Sequence, residues 1–317
     1  MTHYRVCGLV VDSELPLPEL PKVDGAPPQC RVRVVSASPA TPPTWLHQWH
    51  LPSGEIWLLI GRLNSDYLLR FPSLADFLLS TDGERVGCAS ADDVPYDTVR
   101  HLLLDQVLPL VVSLRGGLAL HASAVADPAG AIAFMGSTGQ GKSTLAASFA
   151  RDGFRVLTDD CLVLEATEGG LVGVPAYPGL RLWPHVIPEL FGEVPELSDV
   201  AHYSDKKRLD AALGGLGYCR EPVPMRRIFV LAPDETRESG APVRVVPLPP
   251  RESFMALLTH AYRLDVTDRG RLRGEFDRLG RAADAPVFYR LEFSRDLSRL
   301  PAVRAAILGP PIARGSR

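Results

Sequence analysis

Gly136-Ser137-Thr138-Gly139-Gln140-Gly141-Lys142-Ser143 satisfies the pattern GxxxxGK[ST] at every fixed position. The chemistry such a run supports is phosphate binding. Glycines let successive backbone N–H groups converge on phosphate oxygens, a helix opening at Lys142 adds the partial positive charge of its N-terminus, and the Lys142 ammonium reaches the β and γ phosphates. The Ser143 hydroxyl is the expected Mg²⁺ ligand, and Thr144 completes a predicted nucleotide site over residues 136–144. Seventeen residues beyond Lys142, the short apolar run Phe154–Thr158 ends in Asp159-Asp160. One carboxylate of such a pair can hold the metal while the other takes a proton; adjacent residues of an extended strand point to opposite faces, which suits two separate jobs. The pattern predicts ATP and Mg²⁺ as cofactors, and transfer of a phosphoryl group to a hydroxyl as the reaction.

These residues need elements to hold them. Ala131–Met135 reads as a buried strand ahead of the glycine loop, and 142–151 as a helix of about 15 Å at 1.5 Å per residue. Asp152-Gly153 then turns the chain back, so that Phe154–Thr158 returns the two carboxylates to the phosphate end of the sheet. Upstream, Leu118–Val125 reads as a strand. The apolar positions of 96–114 predict a helix kinked at Pro109 that delivers the chain into a second domain. Downstream, strands are predicted near 226–231 and 287–293 and helices over 251–262, 272–283 and 300–308. Residues 1–95 read differently: Tyr4–Val11, Arg31–Val35, Ile56–Ile60 and Tyr67–Phe71 are strand-like, with Gly, Asn, Ser and Pro between them. Trp45, Trp49 and Trp57 are expected in the core of this unit. Pro39–Pro43 reads as an exposed loop and 310–317 as a frayed tail. The organisation expected is a β-rich N-terminal domain (1–95), which presents the acceptor, and an α/β P-loop catalytic domain (96–309).

Composition narrows the partners. With 34 Lys+Arg against 37 Asp+Glu, a net charge of -3 and 22% charged residues, nothing predicts nucleic acid as a partner. Charged residues or proline interrupt every apolar run well short of the roughly 18–20 residues a membrane helix needs. Met1–Val10 does not read as a secretory signal, and a cytoplasmic location is expected. The five scattered cysteines lack CxxC spacing and predict neither a disulfide framework nor a zinc site. His47 and His50 lack the glutamate of HExxH. Further cations are candidates for phosphate or substrate: Lys206, Lys207 and Arg208 as a cluster, and Arg181 and Arg263 as bidentate ligands.

His121 stands fifteen residues before Gly136. Together with the glycine loop and Leu157-Thr158-Asp159-Asp160 it resembles, over about residues 117–165, the catalytic domain of bacterial HPr kinase/phosphorylase, a fold related to the nucleotide site of phosphoenolpyruvate carboxykinase. The resemblance implies that Asp159 is the base activating a serine, that Asp160 and Ser143 hold Mg²⁺, and that His121 lies near the transferred phosphate. The family's Glu-Val-Arg-Gly type of signature is missing, so no third metal carboxylate is assigned. The opening Tyr4–Pro21, Pro178–Pro184, Asp205–Arg208 and Thr259–Arg263 look like the HPr-kinase-related proteins encoded beside ribosomal-peptide and lasso-peptide biosynthesis genes. That branch implies a serine on a precursor peptide as acceptor. A kinase for a small-molecule hydroxyl, and a regulator that binds ATP without transferring phosphate, stand as the alternatives; the Asp159-Asp160 pair argues against the second, since nucleotide sensing needs no second base. The sequence leaves a homo-oligomer open.

Overall fold

The computed structural model describes residues 2–37, 44–192, 197–211, 214–233 and 241–310. The proline-rich stretch 39–43 and the tail 311–317 lie outside the described residues. The first unit comprises β1 (Thr2–Val6), β2 (Leu9–Ser13), β3 (Cys30–Val34), β4 (Thr44–His50), β5 (Ile56–Leu63), β6 (Asp66–Phe71), β7 (Ala75–Leu79) and β8 (Arg85–Ser90). They form one sheet in the order β1-β2-β3-β8-β7-β6-β5-β4. The single strand expected over 4–11 is a hairpin. Cys7 (φ 53°) and Gly8 (φ 76°) both take the positive φ of a tight two-residue turn, which reverses the chain inside an apolar run. Trp45 and Trp49 are not core residues: they stand on the edge strand β4, each 38% exposed, and only Trp57 packs against the core.

The helical stretch after β8 is α1 (Tyr96–Leu102), a π-helical turn (Leu103–Val107) and α2 (Leu108–Leu114). The expected kink thus takes the form of a π-turn. Pro109 has no N–H for the Asp105 carbonyl, and the Leu108 N–H reaches back five residues to the Leu103 carbonyl. The apolar face of this stretch is buried with the first sheet: Leu103, Val107 and Val111 share a cluster with Leu69 and Phe77, and the same cluster includes Cys161 and Tyr177. One continuous core therefore runs across residue 95.

The remaining elements are β9 (Leu118–Leu120), β10 (Ala122–Asp127), β11 (Gly130–Met135), α3 (Lys142–Arg151), β12 (Arg155–Thr158), β13 (Leu162–Thr167), β14 (Gly170–Val174), β15 (Gly179–Leu182), α4 (Val186–Phe191), β16 (Ser198–Ala201), β17 (Ser204–Asp210), β18 (Val223–Leu231), β19 (Arg244–Pro247), α5 (Pro250–His260), α6 (Arg269–Ala283), β20 (Phe288–Glu292) and α7 (Leu300–Leu308). A nine-stranded mixed sheet runs β12-β10-β11-β18-β14-β13-β9, with β20 beside β18 and β19 beside β20; β15-β17-β16 form a small third sheet. The molecule is therefore mixed α/β. The strand expected over 118–125 is split at His121, with β9 pairing to β13 and β10 lying between β11 and β12. That split places His121 at a break between two ladders.

Candidate active site

Strand β11 is buried at all its positions and runs parallel to β18, so its C-terminal end delivers Gly136 to the carboxyl edge of the sheet. Phe134 packs between Phe149 of α3 and Phe229 of β18, at ring distances of 5.7 and 6.1 Å, which seats the helix directly behind the loop. The loop's shape depends on glycine. Gly141 caps α3 in the left-handed region at φ 92°, and a Cβ there would meet nothing within 4 Å, so the concavity in front of the helix is open. At Gly136 the constraint is contact: a Cβ would press on Gln140 Oε1, which itself accepts from the Ser137 N–H at 2.7 Å. Lys142 is buried, and its Nζ donates to the Gly136 and Ser137 carbonyls at 2.8 and 3.1 Å. Burial lowers the Lys142 pKa, with the charges of Asp160 and Asp159 working against it.

The two aspartates are not successive residues of an extended strand. Asp159 directly follows β12, and Asp160 sits in the left-handed region at φ 63°. Asp159 is fully buried: its Oδ1 accepts from Ser143 Oγ at 2.9 Å and from Ser123 Oγ, and its Oδ2 accepts from the Arg181 backbone N–H at 2.8 Å. Asp160 turns instead into the cleft. Its backbone carbonyl accepts from His121 Nδ1 and Tyr262 Oη, both at 3.2 Å, and these two bonds hold the strained residue in place. Burial pushes the Asp159 carboxyl up, and the Asp160 charge adds to this. For Asp160 burial acts in the same direction, but His121, Lys206, Arg181 and Lys142 outweigh it and hold the carboxyl well below the usual range. Burial, then the Lys142 charge, pushes the His121 pKa below that of a free imidazole.

A cleft of about 890 Å³ brings these groups together. Lys142, Ser143, Thr144, Asp160 and His121 line it, with Thr138, Gly139 and Gly141 from the loop. Of the five cations singled out from sequence, Arg181 and Lys206 reach this cleft. The other three do not. Lys207 pairs with Asp199, Arg208 is buried against Glu19, and Arg263 pairs with Glu275. The side chains that sequence reasoning missed are Ser123, which fixes Asp159, and Tyr262, which fixes Asp160. Tyr262 N–H donates to the Ala119 carbonyl at 2.9 Å, so the end of β9 carries the tyrosine to the site. Asp105, His101 and Gln106 also line the cleft from the π-turn region, and Leu51 from beyond β4. A lone carboxylate inside the apolar run Leu102–Leu108 was the available signal for Asp105.

The donor set fits a nucleotide with its cation: a hydroxyl and a carboxylate of the kind Mg²⁺ takes are hydrogen-bonded to each other beneath an open glycine concavity, beside a lysine. Comparison with solved structures gives the HPr(Ser) kinase/phosphatase from Coxiella burnetii. It is 15% identical, covers 60% of this chain and 96% of its own, and has a TM-score of 0.28. No family model and no curated protein matches the sequence. Among the described residues no helix is long and apolar enough to cross a membrane. What the site can do follows from its own geometry.

Proposed function

We propose that the chain is an ATP-dependent kinase that transfers the γ-phosphoryl group to a serine hydroxyl on a peptide or protein, of the kind supplied as a ribosomal precursor peptide. The observation that carries the reading is the division between the two aspartates. Asp159 is locked beneath the loop on Ser143 Oγ, and Asp160 faces the cleft. This reverses the roles expected from the resemblance. Ser143 lines the cleft and its Oγ donates to the buried Asp159, so this pair would hold Mg²⁺, with Asp159 acting through the Ser143 hydroxyl; Asp160, the one of the two aspartates that lines the cleft, is the base. When bound, the cation neutralises phosphate charge.

The chain's own residues do the rest. Lys142 and the first N–H groups of α3 take up the phosphate charge. Asp160 accepts the acceptor hydroxyl's proton as that oxygen bonds to the γ phosphorus; the bond from phosphorus to the β,γ-bridging oxygen breaks, and its electron pair leaves on ADP. Arg181 and Lys206 supply further positive charge in the cleft wall for the spread charge of the transition state. His121 positions Asp160 through its backbone carbonyl. Peptide as the acceptor class draws support from the N-terminal part of the chain, whose Leu51 walls the cleft together with His101 and Gln106 of the helical stretch that follows it. The test is incubation with Mg²⁺-ATP and a panel of serine-containing peptides, read by mass spectrometry. A peptide gaining one phosphoryl group on serine is expected; nucleotide hydrolysis with every peptide unmodified would contradict the reading.

A further inference from the structure

Resting on the kinase reading, we infer that Asp105 is a positioning residue for Arg181: it draws the guanidinium back so that its contact with the Asp160 carboxylate stays long, which leaves that carboxylate turned to the reacting groups. Asp105 sits in the π-turn, is 3% exposed, and with Gln106 interrupts an apolar stretch. A carboxylate so buried costs several kcal/mol unless it is paired. It has two partners. Its Oδ1 lies 2.5 Å from an Arg181 terminal nitrogen, and its Oδ2 is against His101 Nδ1. Arg181, 1% exposed, lies with its guanidinium carbon 3.8 Å from the centre of the Tyr177 ring. Its other terminal nitrogen stands 3.3 Å from the Asp159 carbonyl and 3.5 Å from Asp160 Oδ2.

The arginine therefore has two carboxylates in reach and is anchored on the one outside the Asp159-Asp160 turn. Were Asp105 uncharged, Asp160 would be the nearest anion, and closure from 3.5 Å to a tight pair would turn the base away from the acceptor hydroxyl. Binding and chemistry should respond differently. Lys142, Arg181, Lys206 and Arg295 line the cleft with Asp105 and Asp160, and Asp159 is buried behind them. Removing one carboxylate makes the cleft more positive, which favours a polyphosphate in the ground state while the geometry for transfer is lost.

The experiment measures kcat for peptide phosphorylation, the nucleotide dissociation constant by equilibrium titration, and the thermal midpoint, for wild type, Asp105→Asn, Arg181→Met and the double variant. We expect Asp105→Asn to lower kcat by about 10- to 100-fold, as misplacement of a catalytic group does. The nucleotide dissociation constant should be unchanged or smaller. The double variant should match Arg181→Met alone, because Asp105 acts only through the arginine. Additive losses, or nucleotide affinity falling in step with kcat and the thermal midpoint, would overturn the positioning role. Should Asp105→Asn fail to fold, Asp105→Ser carries the same test with the charge removed: lowered kcat at unchanged affinity supports the role, and wild-type kcat overturns it. Wild-type transfer in the same assay separates the two levels. Its absence would overturn the kinase reading and the positioning role with it, whereas transfer with additive variants would overturn the positioning role alone.

Discussion

Asp159 and Asp160 are neighbours in sequence and opposites in environment. Asp159 spends its acceptor capacity on Ser143, Ser123 and the Arg181 N–H, so its replacement should be felt first in metal-dependent binding. We expect Asp159→Asn to weaken nucleotide binding by about 10- to 100-fold in the presence of Mg²⁺. It should change binding little when the cation is chelated, as isothermal titration with and without EDTA would show. Equal losses in both conditions would contradict the assignment. His121 gives a pH test. Its pKa is lowered, by burial first and the Lys142 charge second, so protonation requires a lower pH than for a free imidazole. The NMR titration midpoint of this ring should fall below 6.5, and a midpoint above 6.5 would contradict the buried placement beside Lys142. At this scale much was legible in the sequence. The loop glycines, Lys142, Ser143 and the two carboxylates announce themselves by type and spacing. The division of roles did not, because it depends on Ser123 and on the backbone of Arg181, which only folding brings to Asp159.

At the scale of elements, the glycine loop works because β11 ends where α3 begins and because Gly141 takes a conformation disfavoured for other residues. Gly141→Ala should lose about 1 kcal/mol of stability from the left-handed backbone alone, and its Cβ would enter the phosphate concavity. A lower thermal midpoint together with weakened nucleotide binding is expected; unchanged binding would show that the concavity does not receive phosphate. Strand β11, helix α3 and strand β12 were readable as they stand, since local pattern and packing agree there. The hairpin at Cys7-Gly8 was not, because a non-glycine residue at positive φ leaves no mark in an apolar run. The π-turn was visible only as a kink at Pro109. The small sheet β15-β17-β16 escaped notice, although it brings Arg181 and Lys206 to the cleft. Lys207, Arg208 and Arg263 form charged strings that look like ligands, yet each is committed to a carboxylate elsewhere, a matter of tertiary placement rather than composition.

On the scale of the whole molecule, the first sheet and the later chain are joined by contacts that no local pattern reveals. Asp265, in the segment after α5, accepts from Arg62 at 2.7 Å and from Tyr67 Oη at 3.0 Å, both from the first sheet, and from Thr267 N–H at 2.8 Å. Burial raises its pKa, but the bonds from Thr267, Arg62 and Tyr67 prevail and hold the carboxyl at about 2. A carboxylate with a depressed folded-state pKa stabilises fully above its unfolded value, about 3.9, and that contribution is lost as pH falls through about 2. Asp265→Asn should therefore cost about 1–2 kcal/mol at pH 7, a figure discounted for solvent screening at the partly exposed Arg62. In denaturant titrations the gap between variant and wild type should close below pH 4. A gap that stays constant down to pH 2 would assign the effect to shape rather than charge.

Transfer by the cleft-facing carboxylate is the central claim, and single-turnover transfer of label from [γ-³²P]ATP to a serine peptide tests it most directly. Wild type and Asp160→Asn would be compared at saturating nucleotide, with nucleotide affinity measured in parallel. The account predicts labelled phosphoserine with wild type. It predicts a rate lowered by about 10²- to 10⁴-fold in Asp160→Asn, with nucleotide affinity within about threefold, less than the tenfold that 1.4 kcal/mol represents. Label transferred at the wild-type rate by Asp160→Asn, or tight nucleotide binding by wild type with no label on any acceptor, would contradict it.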